Sequence, residues 1–265
     1  MSERDEQTAP TPPTTQTPAT AANLLVVSDF DGTLAGYSTQ IYDVPVHPDA
    51  ISALNRLATM PHTNVAVLSG RELATLSTLC PTSEKVMLVG SHGAESSTQA
   101  VSLTPEQQQI YAELRDDLET VVAKHEGAFV EKKPVNLVTH VLGTQQRDPA
   151  EAEDIMERSR ALWARKYADR EVTMTNGKGI VEFSILDITK GTWIERAKAD
   201  FGASCVVFLG DDVTDENGFR VLGDGDFGIK VGDGETLARH RVADIDAVAD
   251  YLTALANARA TFLSE

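Results

Sequence analysis

The chain has 265 residues, of which 42% are hydrophobic and 24% are charged, a composition typical of a globular protein with a sizeable core. Its formal net charge of −17 argues against a nucleic-acid-binding function, because binding to a phosphate backbone needs a basic face. No apolar run approaches the roughly 20 residues that a membrane helix requires, so we expect no membrane partner.

The first 22 residues are rich in Thr, Pro and Gln and predict a disordered tail, with a partner-binding segment as the alternative. They lack the basic start and apolar run of a secretory signal, so we expect the protein to remain in the cytoplasm. Cys80 and Cys205 lie beside apolar residues, and two such cysteines fit buried thiols in a reducing compartment.

Short, continuous apolar runs outside the middle of the chain predict the strands of a parallel sheet that is covered on both faces. The predicted strands are residues 24–28, 64–69, 86–90 and 205–210. The segments with helical spacing are residues 49–59, 72–79, 190–200 and 245–258. This order predicts a doubly wound, Rossmann-like α/β core.

The middle of the chain instead alternates helices with pairs of strands. We predict helices at 105–125 and 149–167, and strands at 128–131, 135–142, 171–174 and 179–185. The pattern favours an α+β cap domain inserted into the core. The expected division is a tail at 1–22, a core at 23–102 and 186–265, and a cap at 103–185.

The run VVSDFDGTL places two aspartates directly after the first predicted strand. Asp29 therefore lies at the carboxyl end of the strand, where ligands bind in open α/β sheets, and Asp31 follows two residues later. Two carboxylates this close repel each other unless a cation lies between them. A turn stabilised by the aspartate side chains is the alternative for this run taken alone.

Polar residues also follow other predicted strands, or open helices, in the rest of the core. Ser69 in LSGRE offers a hydroxyl to a phosphate oxygen, and Lys190 begins a helix and adds a positive charge. The run VVFLGDDVTDE places Asp211 after a strand, as Asp29 is placed, and hard oxygen ligands of this kind suit Mg²⁺. Carboxylates at a helix start also occur simply as compensation for the helix dipole.

Together these runs are similar to the four motifs of the haloacid dehalogenase superfamily. The resemblance implies that Asp29 attacks phosphorus, that Asp31 acts as acid and base, and that Ser69 and Lys190 hold the phosphoryl oxygens. It further implies that Mg²⁺ is held by Asp29, the Asp31 carbonyl and Asp211, and that Asp212 and Asp215 order the surroundings of the metal.

The runs SDFDGTL, LSGRE, GSHGAE and GDDVTDE resemble those of the trehalose-6-phosphate phosphatases over most of residues 24–252. The resemblance implies trehalose 6-phosphate as substrate and a separate synthase as the source of that substrate. The residues that it implies in substrate binding are Arg71, His92, Glu131, Lys133, His140, Lys178 and Glu182. Leu142 stands where the family usually has an arginine, and we hypothesise that Arg147 substitutes for it.

Other functions are compatible with parts of this pattern. A capped phosphatase acting on sucrose phosphate or mannosylglycerate phosphate has the same core motifs, and a phosphomutase shares the acidic pair. The alternative that is not an enzyme is a catalytically silent binding or regulatory module that retains the same fold. It is disfavoured because such modules typically lose the nucleophile or the metal aspartate, and both are present here.

Overall fold

The computed structural model describes residues 13–38, 43–97, 103–186 and 188–264. They fall into two compact units: the described residues of Met1–Ala100 and Thr189–Glu265 form one, and those of Val101–Ile188 form the other. None of the described helices is both long and apolar enough to cross a membrane.

The first unit is built on a seven-stranded sheet in the order β11-β10-β9-β1-β2-β3-β4. Its strands are β1 (Leu24–Ser28), β2 (Thr63–Leu68), β3 (Met87–Gly90), β4 (Glu95–Ser96), β9 (Cys205–Gly210), β10 (Phe227–Val231) and β11 (His240–Val242). All neighbouring pairs are parallel except β3 with β4. The predicted parallel α/β sheet is confirmed.

Helices cover both faces of this sheet, which explains why its central strands are continuously apolar. The helices are α1 (Gln16–Ala19), α2 (Pro48–Leu57), α3 (Leu73–Leu79), α7 (Lys190–Asp200), α8 (Glu216–Arg220) and α9 (Ile245–Ser264). Successive side chains of β1 point to opposite faces. Leu24 and Val26 join the core that contains α2 and α9, whereas Leu25 and Val27 pack with Trp193 of α7.

The second unit has a four-stranded antiparallel sheet in the order β5-β6-β8-β7. Its elements are α4 (Pro105–Val122), β5 (Phe129–Lys132), β6 (Asn136–His140), α5 (Leu142–Arg147), α6 (Pro149–Lys166), β7 (Thr173–Gly177) and β8 (Ile180–Ser184). Leu137 and Phe183 are fully buried in a core with residues of α4 and α6, such as Leu114 and Ile155. One face of the sheet is therefore covered by helices.

The structure differs from the sequence predictions at the N-terminal segment and at the end of β6. Residues 13–22 were expected in a disordered tail, but α1 forms there, and Arg259 of α9 donates hydrogen bonds to the carbonyls of Ala19 (2.9 Å) and Ala21. The rest of that predicted tail, residues 1–12, lies outside the described residues. The strand predicted at 135–142 ends at His140, and Leu142 begins a helix instead.

Candidate active site

The carboxyl ends of β9, β1 and β2 lie side by side, since β1 pairs in parallel with both neighbours. Asp29 follows β1, and its N–H donates to Leu209 O of β9 at 2.9 Å. Ser69 follows β2 and is almost fully buried, and Asp211 follows β9. The parallel sheet thus brings the three predicted strand-end residues to one edge, where ligands bind in this architecture.

Lys190, the first residue of α7, joins two buried carboxylates. Its Nζ lies 2.8 Å from Asp29 Oδ1 and 2.7 Å from Asp215 Oδ1, and all three side chains are nearly inaccessible to water. Burial raises the pKa of Asp29, while the Lys190 ammonium acts against that rise. Burial alone would lower the pKa of Lys190, but the two carboxylates raise it.

Oxygen atoms of Asp29, Asp211 and Asp215 lie within 4.8 Å of one another, an arrangement that can hold a metal ion. Both oxygens of Asp215 already have partners, because Oδ1 contacts Lys190 and Oδ2 accepts the N–H groups of Asp211 and Asp212. Asp211 Oδ1, in contrast, is buried without a hydrogen-bond partner. A buried carboxylate oxygen of this kind fits a hard divalent cation such as Mg²⁺.

Two further side chains are hydrogen-bonded to this acidic region. Arg71 donates from Nε and Nη2 to the two oxygens of Asp31, each over 2.6 Å. Tyr37, although mostly exposed, donates its hydroxyl to Asp211 Oδ2. Asp212 instead accepts from Val213 N and begins the short 3₁₀ turn that carries Asp215.

His92 lies beside the strand-end residues through its backbone. Its N–H donates to Ser69 O at 2.9 Å, and a Cβ at Gly70 would lie 2.6 Å from the imidazole Cε1. His92 has a φ of 57° and the preceding Ser91 a φ of 48°, an uncommon conformation for residues with a side chain. The imidazole is therefore packed closely over the turn that follows β2.

In the second unit, three of the predicted sugar-binding residues lie on one face of the sheet. Glu131 and Glu182 both pair with Val138, and His140 pairs with Phe129 two residues before Glu131, so their side chains share a face. Glu131 Oε2 lies 2.7 Å from His140 Nε2. Glu182 accepts a hydrogen bond of 2.8 Å from Asn136.

Phe129, which the sequence interpretation did not single out, belongs to the same face. The residue is 55% exposed, and its ring stacks on the His140 imidazole with centroids 4.6 Å apart and planes 3° from parallel. Because His140 covers one side of the ring, the other side is the one exposed. An exposed phenyl group beside His140 is thus a second property of this face.

The remaining predicted residues of this unit lie at its turns and in α5. Lys178 is exposed in the β7–β8 turn, and Lys133 follows β5, where its carbonyl accepts a hydrogen bond from Tyr111. Arg147 contacts Glu126 at 2.8 Å and Glu151 at 2.7 Å, so its guanidinium is already held by two carboxylates. Leu142 is 45% exposed at the start of α5.

Lys230 and Tyr37 are the two residues near the acidic cluster that the sequence interpretation missed. Lys230 interrupts the apolar run FGIKV, and a single charge in such a run is a signal for a buried, partnered lysine. Tyr37 lies 174 residues from its partner Asp211 in a loop without a recognisable pattern, so no local signal predicts the contact.

The comparisons with known proteins agree with this geometry. A family profile described as trehalose-phosphatase matches residues 27–246. The trehalose-6-phosphate phosphatase of Escherichia coli K12 is 31% identical over 256 residues, which cover 94% of this chain and 92% of that protein. The bifunctional trehalose-6-phosphate synthase/phosphatase of Thermoproteus tenax is 29% identical, and the match covers 85% of this chain but 31% of that protein. Among solved structures, one of Aspergillus fumigatus trehalose-6-phosphate phosphatase has a TM-score of 0.71 at 23% identity, and covers 94% of this chain and 99% of that chain.

Proposed function

The chain belongs to the trehalose-phosphatase family, and we propose that it hydrolyses trehalose 6-phosphate to trehalose and phosphate through an aspartyl-phosphate on Asp29. The observation that carries this proposal is the placement of Asp29. Its carboxylate is buried at the end of β1, is ion-paired with Lys190 and has an oxygen within 4.8 Å of a carboxylate oxygen of Asp211.

The first chemical step transfers the phosphoryl group to the protein. A carboxylate oxygen of Asp29 forms a bond to phosphorus, the bond from phosphorus to the sugar oxygen breaks, and Asp31 gives its proton to that oxygen. Arg71 holds both oxygens of Asp31 at 2.6 Å, so one of these two hydrogen bonds must be released before Asp31 can carry this proton, while the other keeps the carboxyl group oriented. The substrate phosphate, which also attracts guanidinium groups, supplies a reason for that release.

The second step returns the protein to its starting state. Asp31 takes a proton from water, the water oxygen bonds to phosphorus, and the bond from phosphorus to Asp29 breaks to give inorganic phosphate. Ser69 and Lys190 would contact the phosphoryl oxygens in both steps, since both lie beside Asp29 at the same sheet edge. Their positions are fixed by burial, which keeps them oriented as the charge redistributes.

Asp29 and Asp211 would bind Mg²⁺ through their side chains and Asp31 through its backbone carbonyl. Once bound, Mg²⁺ supplies a positive charge that reduces the repulsion between the Asp29 carboxylate and the phosphoryl group. Asp215 accepts the N–H groups of Asp211 and Asp212 and contacts Lys190, and it therefore orders both ligand and lysine. Asp212 would act only through the turn that it begins.

The sugar would be recognised by the second unit. Glu131, His140 and Glu182 present oxygen and nitrogen atoms on one sheet face, and sugar hydroxyls both donate and accept hydrogen bonds. The exposed side of Phe129 adds an apolar surface suited to the carbon face of a pyranose ring. Lys133, Lys178, Arg71 and His92 remain proposed substrate contacts on the strength of the family resemblance.

We further infer that a trehalose-6-phosphate synthase supplies the substrate. The fused synthase/phosphatase of Thermoproteus tenax supports such a link between the two activities. Cys80 and Cys205 are free, buried thiols, which suits a reducing compartment such as the cytoplasm.

The proposal is tested by phosphate release from a panel of sugar phosphates, with Mg²⁺ and with EDTA. We expect trehalose 6-phosphate to be preferred by kcat/KM over sucrose phosphate, mannosylglycerate phosphate and glucose 6-phosphate, and activity to require the metal. Asp29→Asn should lower kcat by at least about 1,000-fold without loss of folded structure, because it removes the nucleophile. Asp233→Asn, at an exposed aspartate, is the matched control. Preference for another sugar phosphate rejects the substrate, and substantial turnover by Asp29→Asn rejects the mechanism.

A further inference from the structure

Lys230, near the end of β10, is a buried cation next to the proposed metal site. The residue is only 6% exposed, and its Nζ donates to Asp211 O and to Val231 O, each at 2.6 Å. Placing an ammonium group in a protein interior is costly unless hydrogen bonds and nearby negative charge compensate. The two carbonyls and the adjacent carboxylates provide that compensation here.

These contacts fix the peptide groups on both sides of the Asp211 side chain. On one side, Asp215 Oδ2 accepts the Asp211 N–H at 3.0 Å, and on the other, Lys230 holds the Asp211 carbonyl. The register places Lys230 opposite Gly210, the residue immediately before Asp211, so the lysine reaches across only one strand spacing. With both peptide groups held, the freedom that remains to Asp211 is rotation of its own side chain.

We propose that Lys230 is a positioning residue for metal binding, which holds the Asp211 backbone so that the carboxylate points toward Asp29. The inference rests on the metal site of the proposed function. Lys230 has two effects of opposite sign on an incoming dication: its charge repels the ion, and its hydrogen bond presents the ligand. The second effect is the larger, because groups that orient a metal ligand typically contribute about 10- to 100-fold to metal affinity.

The experiment measures Mn²⁺ binding to the purified full-length protein by titration calorimetry, without substrate, in wild type and in Lys230→Met. The expected result is an increase of about 10- to 100-fold in Kd, with activity recovering as the concentration of Mg²⁺ is raised. Lys198→Met is the matched control, since it also removes an ammonium from the same unit, where Lys198 contacts Asp226 at 2.6 Å. A general loss of stability would move the melting temperature but not the metal Kd of a variant that remains folded.

A second variant covers the case in which Lys230→Met does not fold. Lys230→Gln removes the charge and shortens the side chain, so it must also weaken Mn²⁺ binding. Binding within twofold of wild type, or tighter, in either variant that folds overturns the proposal. Asp211→Asn is measured alongside. If it binds Mn²⁺ as wild type does, the metal site and the role of Lys230 are both wrong. If only Asp211→Asn loses Mn²⁺ affinity, the metal site stands and the positioning role of Lys230 is rejected.

Discussion

Arg71 holds Asp31 in a two-point ion pair, with Nε and Nη2 each 2.6 Å from one carboxylate oxygen. The hydrogen bond to Asp31 raises the pKa of the Arg71 guanidinium, which therefore stays charged. In the proposed reaction, Asp31 gives a proton to the sugar oxygen. Arg71 is thus placed to orient the acid, in addition to any contact that it makes with the substrate phosphate.

Replacing Arg71 should therefore have an effect that depends on the leaving group. For Arg71→Met we expect kcat on trehalose 6-phosphate to fall by up to about 100-fold, the cost of misplacing a catalytic group by about 1 Å. With 4-nitrophenyl phosphate, whose leaving group needs no proton, the fall should be clearly smaller. Steady-state kinetics with both substrates make the comparison, and Arg71→Lys controls for charge. An equal rise in KM for both substrates, with kcat unchanged, would assign Arg71 to phosphate binding alone.

Gly32 is required where the chain passes the Asp211 carboxylate. It has a φ of +77°, and a Cβ there would lie 2.2 Å from Asp211 Oδ2, whereas Gly232 has a φ of +72° with nothing within 4 Å. Both alanine variants should lose about 1–2 kcal/mol of stability, because the left-handed conformation disfavours a side chain. Gly32→Ala alone should also displace Asp211 and reduce activity by about 100-fold. Urea unfolding and phosphate release distinguish the two effects, and similar activity in both variants would contradict the steric argument.

The buried Arg259 should be required for stability but not for catalysis. It donates to the carbonyls of Ala19, Ala21 and His62, and its own side chain is fully buried. Arg259→Met removes the donor to the Ala19 and Ala21 carbonyls, while the His62 carbonyl keeps the N–H of Leu24, so we expect a loss of about 3 kcal/mol in the free energy of unfolding. Arg220→Met, at an exposed position, should change stability by less than about 0.5 kcal/mol. Urea unfolding at pH 7 measures both, and equal stabilities would show that water replaces the guanidinium without cost.

The two thiols should make stability fall at alkaline pH. Burial raises the pKa of Cys80 and of Cys205 to about 12, from an ordinary value of 9.0. Because the folded protein keeps both thiols neutral, their contribution to stability is complete below pH 9 and is lost as pH rises toward 12. Between pH 8 and pH 10 the free energy of unfolding should fall by about 1 kcal/mol per thiol.

The double variant Cys80→Ala, Cys205→Ala is the control for the other groups that titrate in this range. It should lose less stability between pH 8 and pH 10 than wild type does. Native thiols should also react slowly with Ellman's reagent at pH 8 and rapidly in denaturant. The same pH dependence in both proteins would show that the thiols are not responsible.

Phe129 should contribute to substrate affinity through its exposed side. In Phe129→Ala we expect KM for trehalose 6-phosphate to rise about three- to tenfold, as for the loss of an aromatic contact of about 0.5–1.5 kcal/mol. The KM for 4-nitrophenyl phosphate should not change, because that substrate has no sugar. Leu142→Ala tests whether any exposed apolar residue near His140 has the same effect. Equal KM values in Phe129→Ala and wild type would show that the phenyl group does not contribute to sugar binding.

The elements that the sequence predicted best are those whose pattern is local and uninterrupted. The strands β1 and β9 begin and end at the predicted residues, because each is a fully buried apolar run. The helix α7 begins at the predicted Lys190, because Thr189 forms a capping box there. The location of Asp29 and Asp211 at one edge followed from the same logic, since parallel strands end together.

What the sequence could not provide are pairings between distant residues. The predicted strand at 135–142 continued through Val141 and Leu142 because both are apolar, but Thr144 donates to Glu126 O and the chain turns into α5. Arg71 and Asp31 are 40 residues apart, and Lys230 and Asp211 are 19 apart, so no periodicity relates them. Such contacts depend on tertiary packing, which a pattern of single residues does not encode.

Because Asp29 and Asp215 share Lys190, substitutions at these three positions are energetically coupled. Removing either carboxylate changes the environment of the lysine, so a second substitution in the group has an effect that depends on the first. In a related chain that has lost Asp29, catalysis no longer requires Lys190 and Asp215. The protein would nevertheless still bury an unbalanced set of charges. We therefore expect drift at these positions to be correlated, with the three residues kept or replaced together among related chains.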